Sequence, residues 1–228
     1  MRIGLLGGTF NPIHNCHLQI AQEILQRFPL DEILFIPSGI PPHKVDPDIP
    51  SGLHRLEMTR VAVAPYPRFR VLDIEVVRKG PSYSVDTLHL LRSQLDGELF
   101  FILGVDAFLD IESWKEAERL PELCHLIVVS RPEFPFSSLR RIPLIGSVDP
   151  GPFKRVDEGQ ADRYSLRFPS SPCSSPPNAL IYFKVQPCSI SATDIRKRLH
   201  QGGSVRNLLP EAVRSYIIIN NLYPSENT

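Results

Sequence analysis

Residues 2–21 read R-I-G-L-L-G-G-T-F-N-P-I-H-N-C-H-L-Q-I-A. Arg2 to Leu6 is a short apolar run that suits a buried strand. Gly7 and Gly8 break the run and let the backbone turn with no Cβ in the way. Pro12 fixes one φ angle in the loop that follows. His14, Asn15 and His17 fall where a helix begins. Leu18, Ala21, Ile24 and Leu25 then recur at helical spacing, which gives that helix an apolar face. The stretch is strand, tight turn, helix.

Two physical facts make the turn a candidate phosphate site. A helix N-terminus carries N–H groups without intrahelical partners and the positive end of the dipole, so it attracts anions. Imidazoles at positions 14 and 17 lie one helical turn apart and can face the same ligand. The pattern is neither the dinucleotide fingerprint G-x-G-x-x-G nor the lysine-bearing P-loop.

Composition narrows the function classes. The 228 residues suit one α/β domain of ordinary to large size, and 42% apolar content is enough for a core. No window approaches the roughly 18 consecutive apolar residues of a membrane span. No signal-peptide pattern precedes the first strand, so a cytoplasmic location is expected. Lys plus Arg equals Asp plus Glu at 25 each, which speaks against sequence-independent nucleic-acid binding through a broad basic face. The cysteines at 16, 124, 173 and 188 form no C-x-x-C pair and read as reduced thiols. His14, Cys16 and His17 are ligand types for zinc, but no second cluster supplies the rest of a structural site.

The remaining chain continues the alternation. The first helix is expected from about Asn15 to Arg27, and Glu32 to Pro37 is a second apolar strand. Strand–helix–strand order of this length implies a right-handed crossover and a parallel sheet, which binds ligands at the carboxyl ends of its strands. Ser38 to Pro50 is a proline-rich loop carrying His43 and Lys44, a basic pair that is either solvated or turned to a ligand. Ser51 to Ala64 reads as a helix capped by Ser51, with His54 and Arg55 at its start, where they either add charge near the phosphates or sit at a solvated helix end. Phe69 to Asp73 and Ile74 to Val77 are strand-like. Tyr83 to Gln94 is a helix with Ser84, Asp86 and Thr87 in its first turns.

Glu98 to Gly104 is a core strand, followed directly by Asp106. That acid is placed either to accept bonds from ribose hydroxyls or to cap the segment from Ala107. Trp114, the lone tryptophan, is either a packing residue or a stacking platform for a flat base. Cys124 to Ser130 is another strand. From about Gly146 to Asn178 serine, proline and glycine dominate, and the stretch is expected to be a surface loop or insertion. Ala179 to Val185 returns as a strand. Residues 189–199, S-I-S-A-T-D-I-R-K-R-L, place Ser191 and Thr193 at a helix start and Arg196 one turn in. They form either a capped amphipathic helix or a second anion site. Leu208 to Leu222 closes the chain as a helical segment beginning near Pro210.

G-G-T-F-N-P-I-H-N-C-H resembles the G-G-T/S-F-D/N-P-x-H-x-G-H motif of the nucleotidyltransferase superfamily, with Cys16 where that motif has glycine. P-P-H-K, P-S-Y-S-V-D-T-L, F-I-L-G-V-D-A, S-W-K, H-L-I-V-V-S-R-P, I-S-A-T-D-I-R and L-L-P-E-A-V extend the likeness over nearly the whole chain. Together they are similar to the bacterial nicotinate mononucleotide adenylyltransferases.

The resemblance implies a Rossmann-like, doubly wound, mainly parallel α/β sheet with flanking helices, in one nucleotidyltransferase domain over 1–228. It implies transfer of AMP from ATP to nicotinate mononucleotide, with Mg²⁺ accompanying ATP and no protein nucleophile. Nucleic acid and membrane are not implied as partners, and oligomeric state is left open. His14, His17 and Arg196 are implied as catalytic. ATP is implied to meet Gly7, Gly8, Thr9, Phe10, His14, His17, Gly104, Asp106, Ile190, Ser191, Thr193 and Arg196. The mononucleotide is implied to meet Thr9, His43, Lys44, Thr87, Asp106, Trp114 and Lys115. Sister enzymes acting on nicotinamide mononucleotide or phosphopantetheine, and a nucleotide-binding regulator without turnover, are the alternative readings.

Overall fold

The computed structural model describes residues 1–42, 49–139, 141–168 and 178–224. The elements follow the expected alternation. β1 (Arg2–Gly8), α1 (Asn15–Arg27), β2 (Glu32–Pro37) and α2 (Gly52–Val63) come first, then β3 (Phe69–Val71), α3 (Ile74–Val77) and α4 (Ser84–Gln94). β4 (Glu98–Gly104), α5 (Val105–Leu109), α6 (Leu120–Leu123) and β5 (His125–Val129) form the middle of the chain. β6 (Arg141–Ile142), β7 (Gly146–Ser147), α7 (Gly151–Asp157), β8 (Arg163–Arg167), β9 (Ala179–Phe183), α8 (Ala192–His200) and α9 (Glu211–Ile219) complete it.

The main sheet has the strand order β3-β2-β1-β4-β5-β9-β8. β1–β4, β4–β5 and β5–β9 pair in parallel, as does β2–β3, and β8 joins antiparallel to β9. This is the expected mainly parallel, doubly wound α/β fold. Order reverses between β1 and β4, the kind of switch point at which open α/β sheets bind ligands outside their carboxyl ends. Burial explains the composition of the central strands. Leu126 to Val129 of β5 are buried without interruption, as are Ile3 to Leu6 of β1, so neither strand alternates with polar residues.

Contacts divide the chain into two compact units. One comprises Met1–Leu6 with Tyr83–Pro187, and the other Gly7–Ser82 with Cys188–Thr228.

Two expectations are corrected. Ile74–Val77, β-branched and strand-like in sequence, is a single helical turn. Val76 and Val77 N–H both donate to the Asp73 carbonyl, so local backbone bonding overrides a propensity that depends on context. Of the two readings of 146–178, loop or insertion, the loop is corrected over 146–168, which carries β7, α7 and β8. α7 buries Phe153 and Val156, and β8 pairs with β9 from Arg163↔Phe183 to Arg167↔Ala179. Phe153 meets Tyr164 and Tyr182 edge-on at centroid distances of 5.1 and 4.9 Å. Asp157 then accepts from the N–H groups of Phe136 and Ser137 at 3.0 and 2.7 Å. The few apolar residues in a polar stretch are the ones that pack. Residues 169–177 lie outside the described residues.

Phe153→Ala is expected to lower stability by about 3–5 kcal/mol in urea unfolding, as for other buried phenylalanines. A loss below about 1 kcal/mol would mean that 146–168 carries no core.

Candidate active site

The turn after β1 belongs to the Gly7–Ser82, Cys188–Thr228 unit. Phe10 adopts φ +46°, a left-handed conformation uncommon for an aromatic residue, and its ring is buried. The ring meets His17 edge-on at 5.1 Å and Phe35 at 6.0 Å. The backbone on either side is held. The Thr9 carbonyl accepts from Arg55 Nη1 at 2.7 Å, and the Asn11 carbonyl accepts from Arg196 Nη1 at 3.0 Å. The Asn11 side-chain oxygen accepts from the Tyr223 hydroxyl at 2.6 Å.

His14 is the residue before α1 and is buried. Its backbone N–H donates to His17 Nδ1 at 3.2 Å. A nitrogen that accepts cannot hold a proton, so neutral His17 carries its hydrogen on Nε2 as a donor. The two rings lie with centroids 3.8 Å apart, tilted 30° to each other. The start of α1 is tied to the segment before α9. Asn15 N–H donates to the Leu208 carbonyl at 3.1 Å, and Asn15 Nδ2 to the Asn207 carbonyl at 3.0 Å.

α8 brings the second anion-binding candidate to the same turn. Ser191 caps the helix, its Oγ accepting from Asp194 N–H at 3.1 Å. Thr193 is exposed, and Ile190 and Arg196 are half-buried. Residues 185 apart thus converge at Asn11 through the Arg196 guanidinium. Cys16 and Cys188 form a disulfide with a Cα–Cα distance of 5.8 Å. This corrects the expectation of reduced thiols: the chain folds the two into bonding range although 172 residues separate them. Cys124 is a buried free thiol whose pKa burial pushes up to about 12, which keeps it unreactive.

The remaining candidates belong to the other unit. Asp106 lies in the first turn of α5, and Gly104, not Asp106, occupies the capping position. A Cβ on Gly104 would fall 2.2 Å from Asp106 Oδ1, so only glycine lets that carboxylate fold back over the strand end. Arg131 Nε stands 3.5 Å from the same oxygen. Lys115 Nζ donates to Asp86 Oδ1 at 2.9 Å and lies 5.0 Å from the Tyr83 ring centroid. The Asp86 hydrogen bond raises the Lys115 pKa. Lys115 therefore meets the first turn of α4, where Thr87 is buried with its hydroxyl donating to the Tyr83 carbonyl. Trp114 is half-buried, edge-on to Phe101 at 6.3 Å. His43 and Lys44 lie outside the described residues.

The cytidylyltransferase-like family profile matches residues 5–198. A "Probable nicotinate-nucleotide adenylyltransferase" of Citrifermentans bemidjiense is 43% identical over 224 residues, covering 98% of each chain. A protein of the same description from Desulfatibacillum aliphaticivorans is 42% identical over 235 residues, covering 98% of this chain and 100% of that one. This chain belongs to the nicotinate-nucleotide adenylyltransferase family. The Plasmodium falciparum nicotinic acid mononucleotide adenylyltransferase complexed with NaAD shares the fold. Its TM-score is 0.70 at 20% identity, with 100% of this chain and 99% of that chain covered.

Within this family member, sequence reasoning missed three residues that hold the turn. Asn11 stood inside the quoted motif, but nothing marked it as the point of attachment. Tyr223 carried no signal. Arg55, read as a helix-start charge that was either solvated or near the phosphates, is 1% exposed.

Peptide mapping of protein purified without reductant is expected to recover a linked pair containing Cys16 and Cys188. Recovery of the two only as separate thiol peptides would contradict the cross-link.

Proposed function

We propose that this chain transfers AMP from ATP to nicotinate mononucleotide, forming nicotinate adenine dinucleotide and pyrophosphate for NAD biosynthesis. An oxygen of the mononucleotide 5′-phosphate attacks the α-phosphorus of ATP. The bond from that phosphorus to the oxygen bridging the β-phosphate breaks, and its electron pair leaves with pyrophosphate. The observation that carries this reading is the Arg196–Asn11 bond, which joins the I-S-A-T-D-I-R helix to the G-G-T-F-N-P turn. Each is an anion-binding element in its own right, and together they suit a triphosphate.

Roles follow from chemistry. Gly7 and Gly8 at the end of β1, with Thr9 and Phe10 of the turn that follows, form the backbone against which nucleotide packs. His14 and His17, the latter donating from Nε2, stabilise charge that builds on the phosphates, with the α1 dipole behind them. The bond to Asn11 anchors the Arg196 guanidinium beside the turn, and Ile190, Ser191, Thr193 and Arg196 receive the triphosphate. Gly104 permits the pose of Asp106, which accepts from ribose hydroxyls. Thr87, Trp114 and Lys115 receive the nicotinate ring, and His43 and Lys44 the mononucleotide phosphate.

Among the described residues no group of three or more His, Cys, Asp or Glu side chains is arranged to hold a metal ion. Mg²⁺ belongs to the substrate, carried by phosphate oxygens and water. We read 1–228 as one nucleotidyltransferase domain, since a single family profile runs through segments of both units. Among the described residues no helix is long and apolar enough to cross a membrane. We place the reaction in the cytoplasm because its substrate ATP is there.

Pyrophosphate release from ATP is the test, run with nicotinate mononucleotide, nicotinamide mononucleotide and phosphopantetheine. The acid mononucleotide is expected to be the preferred acceptor. Release only with phosphopantetheine, or with none of the three, would overturn the reading.

Two variants test the assigned roles. His17→Ala should lower turnover by about 10²-fold or more while leaving the fold intact, as for loss of one charge-stabilising donor. Near-normal turnover would remove His17 from the chemistry. Trp114→Ala should raise the KM for the mononucleotide far more than that for ATP. An equal rise for both would make it a packing residue.

A further inference from the structure

Arg55 sits in the first turn of α2 and is 1% exposed. Its guanidinium makes three hydrogen bonds to backbone carbonyls: Nη1 to Thr9 at 2.7 Å, Nη2 to Gly39 at 2.7 Å and Nε to Pro50 at 3.1 Å. These oxygens come from separate segments. Thr9 is in the turn after β1, Gly39 follows β2, and Pro50 precedes α2.

A buried cation that meets neutral acceptors is an expensive way to fill space. An apolar side chain of similar volume would satisfy packing alone without desolvating a charge. What the guanidinium supplies is geometry: a rigid planar fork that fixes several acceptors relative to one another. Its pKa is drawn down by burial, with Tyr223 and Glu75 acting in the opposite sense. Arginine keeps its charge under that influence.

The neighbourhood is built to accept the fork. A Cβ on Gly39 would fall 2.1 Å from the Glu75 carbonyl oxygen, so Gly39 runs hard against the backbone of α3. Its N–H donates to Ser82 Oγ at 2.9 Å. One residue earlier, Ser38 N–H donates to the Gly8 carbonyl at 2.9 Å. Gly8 and Thr9 are thereby tied in succession to Ser38 and, through Arg55, to Gly39. The Thr9 carbonyl lies immediately before Phe10, the turn residue with positive φ.

We propose that Arg55 is a positioning residue for adenylyl transfer: its guanidinium sets the Thr9–Phe10 backbone against Gly39 and Pro50, and so fixes the turn that faces the phosphates. It touches no substrate and acts through the turn. The inference rests on the adenylyltransferase reading given above. Its consequence is specific, because a turn displaced by a fraction of an ångström still binds ATP but no longer matches the transition state.

The experiment measures steady-state pyrophosphate release and thermal unfolding for wild type, Arg55→Met, Arg55→Lys and Met58→Ala. Met58 is buried on the same helix and contributes packing only. All rates are taken well below each variant's unfolding midpoint. Arg55→Met and Arg55→Lys should each lower kcat by about tenfold or more, with the KM for ATP changed by less than about threefold. Lysine should fail to rescue because an ammonium keeps the charge but lacks the planar fork. Met58→Ala should lose stability and keep its kcat.

If Arg55→Met does not fold, the charge-conserving Arg55→Lys decides the matter. A kcat within about twofold of wild type in Arg55→Lys overturns the proposal. So does an equal kcat loss in Met58→Ala, which would make the Arg55 effect one of general stability. A wild type that releases no pyrophosphate overturns the adenylyltransferase reading itself, and with it the role of Arg55.

Discussion

The site depends on a short backbone turn that would not hold itself. Phe10 sits at positive φ, where a non-glycine residue costs about 1–3 kcal/mol. The carbonyls on either side of it, Thr9 and Asn11, each accept from a guanidinium. Charge-assisted hydrogen bonds contribute about 1.5–3 kcal/mol apiece, enough for the pair to offset the strain. Arg55 and Arg196 come from different parts of the chain, and Tyr223 adds a third hold from near the C-terminal end of the described residues. The turn has its shape because distant segments impose it.

That arrangement suits a reaction that uses charge and position. A turn held before substrate arrives has its donors and dipoles aimed in advance, so little is spent on reorganisation during the reaction. The same logic fixes His17. Its Nδ1 is occupied by the His14 backbone N–H, which leaves Nε2 as the protonated face. A histidine whose tautomer is set this way is a donor toward an oxyanion. It is poorly arranged to be the base of a nucleophile pair, and Cys124, the free thiol among the described residues, is buried with its pKa raised. Disulfide bonding of Cys16 removes a neighbouring sulfur from the chemistry as well.

Much of this was legible in the chain. The β1–turn–α1 unit, β2 and β4 declared themselves through apolar runs; α1, β2 and β4 keep their expected bounds, whereas β1 runs on through Gly7 and Gly8, which were expected to break it. The two histidines and the α8 start were legible because helix N-termini with polar side chains are local features. What could not be read was long-range. Arg55 looks like any charge at a helix start, and only the folded carbonyls around it show that it is interior. The Cys16–Cys188 bond has no local spacing to betray it. Phe153 and Val156 were hidden by the serine, proline and glycine around them, although α7 and β8 form on those few apolar positions. Ile74–Val77 misled in the opposite sense, since a single turn is decided by its backbone bonds to Asp73 and not by β-branching.

The central claim is that this site transfers an adenylyl group by holding and polarising its substrates, without forming a bond to the protein. The stereochemical course at the α-phosphorus tests it most directly, using ATP made chiral there by sulfur or oxygen isotopes. A single in-line displacement predicts inversion of configuration in the dinucleotide product. Retention would require two displacements through an adenylyl-protein intermediate and would contradict the account.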